Sequence, residues 1–276
     1  MTTPRRGRGS AMLEIRPERV DPTPVVGTPT AMRLDAVRNN DDRLAKRYDR
    51  WTELVFGRLL GVDALRERAI DRLGSLEGRV VLDIGCGTGR NFPTLVERVG
   101  PRGRVVGVDD SPGMLDVARE RVVREGWRNV ELRTDDAVVL GSIEPPVDAV
   151  VAVWCLGITY DLVGAIHRAI DVLRPGGPMA ILDFDRARPD HGWLRRCYPL
   201  YSRLLHWSGI DSAEDVDDAR LRAKWARGRA AFDGRMVGVT EERYLDGAGV
   251  LVAGRVPASA PRACRSLGLR TRPRPR

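Results

Sequence analysis

The stretch Val80-Val81-Leu82-Asp83-Ile84-Gly85-Cys86-Gly87-Thr88-Gly89-Arg90-Asn91-Phe92-Pro93 decides the fold. Its opening is apolar and β-branched, the composition of a strand covered on both faces. Its middle carries three glycines at alternate positions, so a ligand can approach the backbone without meeting side chains. Phe92, Leu95, Val96 and Val99 then recur at helical spacing. Strand, glycine loop and helix in that order place a ligand at free helix N–H groups. A tight turn that binds nothing is the alternative.

Spacing narrows the ligand. A dinucleotide fingerprint, G-x-G-x-x-G, needs its third glycine where Arg90 stands, one place after Gly89. The run Asp83-x-Gly85-x-Gly87-x-Gly89 instead resembles the first motif of class I S-adenosylmethionine-dependent methyltransferases. That resemblance implies an α/β fold: a Rossmann-like, seven-stranded, mostly parallel sheet with helices on both faces and a C-terminal antiparallel hairpin. It also implies S-adenosylmethionine as cofactor, held around Asp83, Gly85, Cys86, Gly87 and Gly89.

The following segments keep this order. Gly103–Asp109 reads as the second strand, ending on an acid able to accept two hydrogen bonds from a ribose diol. Asp110-Ser111-Pro112 starts a helix, with Ser111 as N-cap and Pro112 in the first turn. The pattern V-x-G-V-D-x-S-x-x-M-L is similar to the family's, which brings Asp110 to the cofactor site and Met114 against the adenine. Asn129–Arg133 is the third strand. The family has Gly-Asp-Ala after it, whereas this chain has Asp135-Asp136-Ala137. The resemblance assigns the adenine amino group to Asp136 and a ring nitrogen to the Ala137 amide, with Asp135 a close rival. Val147–Leu156 is the fourth strand, and Trp154 lies at its ligand-binding end. Asp161–Leu173 is a helix, Arg174-Pro175-Gly176-Gly177 the return, and Met179–Phe184 the fifth strand. Met236–Tyr244 and Ala248–Val256, around Asp246-Gly247, form the closing hairpin.

Two segments are read as surrounding the acceptor. Residues 31–73 are helical in pattern, interrupted at Gly57 and Gly61. Arg47-Tyr48-Asp49-Arg50-Trp51 resembles the element that precedes the first motif in quinone- and phospholipid-modifying methyltransferases, where the helix folds over the cofactor; a packed amphipathic helix is the alternative. Residues 185–235 form a variable helical segment holding Trp193, Tyr198, Tyr201, His206, Trp207 and Trp225. These aromatics line either an apolar substrate pocket or a packed interior. The methyltransferase domain is thus drawn as 31–256, between disordered tails at 1–30 and 257–276.

Composition adds exclusions. The net charge of +8 invites a nucleic-acid reading, but residues 1–20 hold five arginines against two glutamates, and residues 255–276 hold seven arginines and no acid. The body between them is near −2, so the basicity belongs to the tails and nucleic acid is disfavoured as a partner. Cys86, Cys155, Cys197 and Cys264 are scattered, which disfavours a metal site, a disulfide framework and the cysteine set of arsenic methylation. The longest apolar run, Val147–Ile158, is about 12 residues against the ~20 that span a bilayer. No apolar stretch follows the basic N-terminus. A cytoplasmic location is expected. The fourth strand ends Val153-Trp154-Cys155-Leu156, without the D/N-P-P-Y/F of enzymes that methylate base amino groups.

The implied reaction is in-line methyl transfer, achieved by positioning and by excluding water. Tyr48 and Trp154 are candidates to face the sulfonium. Asp183, Asp185 and His191 follow the fifth strand and are candidates for a base, each with a structural alternative; His167 and His206 sit in helical patterns. The acceptor is read as a small apolar or amphiphilic molecule, quinone- or phospholipid-like. A non-catalytic S-adenosylmethionine-binding protein whose arginine tails contact nucleic acid stays open, as does a nicotinamide oxidoreductase.

Overall fold

The computed structural model describes residues 61–186, 189–193, 195, 196 and 218–258. Tyr48, most of the 31–73 segment, Cys197, Tyr198, Tyr201, His206, Trp207, the N-terminal tail and residues 259–276 lie outside the described residues.

Seven strands form one sheet: β1 (Val80–Ile84), β2 (Arg104–Asp109), β3 (Val130–Thr134), β4 (Ala149–Val153), β5 (Pro178–Phe184), β6 (Val237–Tyr244) and β7 (Gly249–Arg255). Their order is β3-β2-β1-β4-β5-β7-β6. The first five are mutually parallel, and β7 runs antiparallel to both β5 and β6. The helices are α1 (Val62–Asp71), α2 (Phe92–Val99), α3 (Pro112–Glu125), α4 (Leu162–Val172) and α5 (Asp218–Asp233). The expected seven-stranded, mostly parallel architecture with its terminal antiparallel pair is therefore present.

The alternation of the strands builds two cores. Val81 points to the face that packs Ile70, Leu73, Phe92, Leu95 and Leu115 from α1, the α1–β1 connection, α2 and α3. Leu82 and Ile84 point to the opposite face, with Ile166, Ile170, Trp225 and Phe232 from α4 and α5. Because helices cover both faces, β4 reads as a continuous apolar run and β1 is broken only by Asp83.

Several boundaries move. The fourth strand is shorter than the apolar run suggests, Ala149–Val153 instead of Val147–Leu156. Val147 makes only an isolated bridge to Leu173, and Trp154 adopts φ 58°, which ends the strand. Gly61, at φ 63°, immediately precedes α1. In the variable segment, Asp185, Arg186 and Pro189–His191 are not helical, whereas 218–233 is. Trp225 belongs to the packed interior between α5 and the sheet, and Trp193 is exposed. Ser111 caps α3 as expected, its Oγ accepting the Met114 amide at 3.2 Å.

Candidate active site

The parallel register aligns the carboxyl ends of β1 to β5. Ile84 pairs with Val108 and Ala152, Asp109 with Thr134, and Val153 with Leu182. Chain order reverses between β1 and β4, the switch point where open α/β sheets bind ligands. Asp83, the glycine loop, Asp109, Asp135-Asp136, Trp154 and Asp183 all lie on this edge.

The three loop glycines have different neighbours. All take positive φ, at 63°, 53° and 78° for Gly85, Gly87 and Gly89. A Cβ on Gly85 would lie 2.3 Å from Cys155 Cβ, and one on Gly89 2.5 Å from the Phe92 ring. One on Gly87 would meet nothing within 4 Å. Only Gly87 therefore opens toward the cleft. Its amide donates to Asp109 Oδ2 at 2.8 Å, while Asp109 Oδ1 accepts the Ser111 amide at 3.0 Å. The Asp110 amide also bonds this carboxylate, which still has acceptor capacity left for a hydroxyl donor. Burial pushes the Asp109 carboxyl above its ordinary range, and the Ser111 and Gly87 amides pull the other way.

Asp83 is fully buried at the end of β1. Its Oδ1 accepts Asn91 Nδ2 at 2.9 Å, and its Oδ2 has no hydrogen-bond partner. Asn91 Oδ1 in turn accepts Arg66 Nη1 at 3.0 Å. Desolvation raises the Asp83 pKa to about 7; the Asn91 hydrogen bond, then the Arg66 charge, oppose the rise. A buried carboxylate oxygen without a donor suits a cationic group. Together with the open space over Gly87, it fits the amino-acid end of the implied cofactor.

Asp135 and Asp136 hold different partners. Asp135 uses Oδ1 on the Asp136 amide at 2.8 Å and Oδ2 on the Ser142 amide at 2.6 Å, bracing the 135–142 loop. Burial raises its carboxyl, but hydrogen bonds from Ser142 and from the Asp136 and Gly141 amides outweigh this and hold it low. Asp136 Oδ1 accepts the Val138 amide at 2.7 Å, and its side chain also meets the Tyr160 hydroxyl. The Ala137 amide has no acceptor among the described residues.

The remaining expected residues divide. Met114 is buried in the first turn of α3, and Asp110 is exposed next to Asp109. Cys86 does not face the cleft: its side chain is buried, and its amide donates to Val108 O at 2.9 Å. Trp154 stacks on Phe184 with ring centroids 4.5 Å apart, and its buried Nε1 is unpartnered. The left-handed backbone of a tryptophan here is the kind of strain that clusters at functional sites. Asp183 accepts the Gly157 and Phe184 amides, each at 2.8 Å. Burial raises it to about 6, against those amides and the charge of Lys224. Asp185 is held by two hydrogen bonds from Arg243, at 3.1 and 2.9 Å. His191 is exposed beside the β6–β7 turn, its amide 3.4 Å from Asp246 O.

Sequence reading missed Arg66, Asn91, Tyr160, Phe184 and Lys224. Asn91 alone carried a signal, as a polar residue between the glycine loop and an apolar helix. Among the described residues, no helix is long and apolar enough to cross a membrane, and no cluster has metal-ligand character.

Known proteins agree with this geometry. The family described as a methyltransferase domain matches residues 81–177. A demethylmenaquinone methyltransferase of Desulfitobacterium hafniense is 30% identical over 233 residues, covering 80% of this chain and 90% of its own. A ubiquinone/menaquinone biosynthesis C-methyltransferase of Saccharophagus degradans is 29% identical, covering 76% of this chain and 86% of its own. An S-adenosylmethionine-dependent methyltransferase of Aquifex aeolicus shares the fold, with a TM-score of 0.51, 20% identity, and 78% and 98% of the two chains covered. On its glycine loop, its sheet order and these relatives, the chain belongs to the class I S-adenosylmethionine-dependent methyltransferases.

Proposed function

We propose that this enzyme methylates a ring carbon of a quinone-like acceptor. The observation that carries the reading is the Trp154–Phe184 pair, with 4.5 Å between centroids, standing at the adjacent carboxyl ends of β4 and β5. Phe184 is 41% exposed, so one aromatic face is left for a flat apolar molecule. The names of the two quinone-modifying relatives support the same acceptor class.

The cofactor supplies a methyl group on a positively charged sulfur. In this reading Asp109 accepts hydrogen bonds from the ribose hydroxyls. Asp136 and the Ala137 amide meet the adenine edge, and Met114 packs against it. Gly85, Gly87 and Gly89 shape the loop, and Asp83 meets the ammonium group. Trp154 faces the sulfonium, an attraction of about 0.5–2 kcal/mol. Asp183 braces the β4–α4 loop, its two oxygens each accepting a backbone amide. Tyr48 and His191 stay as candidates on the acceptor side.

In this reading the catalytic unit spans 31–256, with 31–73 assigned as lid and the part of 185–235 outside the packed α5 core assigned to the acceptor side. The enzyme works in the cytoplasm and does not need nucleic acid. The test is mass spectrometry of a reduced naphthoquinone incubated with enzyme and S-adenosylmethionine. A single added methyl on ring carbon supports the reading. Methylation of a phospholipid headgroup instead, or of oxygen, overturns it.

A further inference from the structure

Arg66 lies on α1, before the segment that matches the methyltransferase family. It nonetheless reaches the first motif. Its Nη1 donates to Asn91 Oδ1 at 3.0 Å, and Asn91 Nδ2 donates to Asp83 Oδ1 at 2.9 Å. Asn91 is 2% exposed and Asp83 0%, so water does not compete for the inner half of this relay, while the Arg66 guanidinium is part-buried and also lies 3.8 Å from Asp63 Oδ1. A second contact holds the same helix to the loop: Arg90 Nη2 lies 3.2 Å from Asp63 Oδ1.

The chemistry of the amide gives the relay a direction. A guanidinium only donates, so it takes the oxygen end of the Asn91 side chain. The NH2 end must then face Asp83. Without Arg66 the amide is free to turn over, which sets its oxygen against a carboxylate. Arg66 thus fixes the Asn91 rotamer and also adds positive charge near Asp83. Asp83 Oδ2, buried and unpartnered, is left to accept a cationic donor.

We propose that Arg66 is a positioning residue for the cofactor's ammonium group, acting through Asn91 to keep the Asp83 carboxylate ionised and correctly presented. This rests on the methyltransferase reading above. Two charged groups act on Asp83, Arg66 from α1 and Asp109 from β2, and the Cys86 and Cys155 thiols lie close enough to feel the Asp83 charge. Burial pushes both thiols well above their ordinary range, so they stay neutral. Asp109 opposes ionisation of Asp83, and Arg66 favours it. With Asp83 near pH 7, a change in the Arg66 charge falls where it alters the carboxylate population.

The test is calorimetric titration of S-adenosylhomocysteine, which keeps the ammonium group, into the full chain and an Arg66→Met variant at several pH values. A one-unit rise in the Asp83 pKa cuts its ionised fraction at pH 7 about fivefold. The variant should therefore bind about fivefold more weakly at pH 7 and within about twofold of the parent at pH 8.5. A desamino analogue should bind both proteins equally. Equal binding of S-adenosylhomocysteine at every pH, or a loss of the same size at every pH, overturns the proposal. If the parent itself does not bind, the methyltransferase reading falls with it. Should Arg66→Met not fold, Arg66→Gln removes the same charge and is read by the same pH midpoint.

Discussion

Gly85 and Cys155 touch across the β1–β4 boundary so closely that a Cβ on the glycine would lie 2.3 Å from the cysteine Cβ. The Cys155 thiol donates to Ile84 O at 3.0 Å, which fixes it there. The first glycine of the motif is therefore demanded by sheet packing. Gly87, with open space where its side chain would be, is the one that a ligand demands.

The two glycines should fail differently. Gly85→Ala combines left-handed strain with overpacking and should cost about 2–5 kcal/mol of stability. Gly87→Ala carries only the strain, about 1–2 kcal/mol, but its methyl occupies the cleft. Urea denaturation and calorimetry on both variants check this. Gly87→Ala should fold and bind cofactor poorly; cofactor binding by Gly87→Ala equal to the parent's would move the site elsewhere.

Three acids near the adenosine region should separate by role. Asp109→Ala removes an acceptor for two hydroxyl donors and should weaken cofactor binding about 100-fold or more. Asp136→Ala removes one contact, for about tenfold. Asp135→Ala should mainly lower the melting temperature, because its oxygens hold the Asp136 and Ser142 amides. Binding losses in the reverse order for Asp135 and Asp136 would exchange their assignments.

The parts of this site that were legible in the sequence are the local ones. The strand, glycine loop and helix lie within one short stretch, and each acid follows its strand directly. What stayed hidden depends on distance along the chain. Arg66 and Asn91 are 25 residues apart, and Lys224 donates to Gly157 O across 67. Neither spacing leaves a periodic signal. Trp225 was ambiguous for another reason, since helical periodicity is the same whether the buried stripe faces a core or a ligand. The tight Gly85–Cys155 contact adds a packing demand to a motif position that the sequence credits to the ligand, a demand that local spacing does not reveal.

Asp83 should set stability against binding. Its folded pKa of about 7 lies above the ordinary 3.8. The stability it contributes is full below about pH 4 and is lost as pH rises through about 7. Asp83→Asn keeps an acceptor for Asn91 and removes the buried charge. The variant should gain on the order of 1–3 kcal/mol at pH 8 in urea denaturation, while losing affinity for S-adenosylhomocysteine. A variant less stable than the parent at pH 8 would show that the charge is already well compensated in the free enzyme.

Asp183 decides whether this enzyme carries a base on its fifth strand. The residue is 5% exposed and accepts the Gly157 and Phe184 amides. Lys224 holds the same turn from the other side, donating to Gly157 O at 2.7 Å and to Thr159 O. Both groups thus grip the turn that follows Trp154. A brace of this kind predicts that Asp183→Ala, which orphans two amides, costs about 2–4 kcal/mol of stability. Asp183→Asn keeps one acceptor and should lower kcat less than about tenfold, leaving the acidic limb of its pH profile in place. A general base predicts instead a loss of about 10²–10⁴ in Asp183→Asn, with disappearance of a limb near pH 6. The two outcomes are far enough apart that one kcat–pH series on this single variant separates a residue that shapes the acceptor site from one that takes the acceptor's proton.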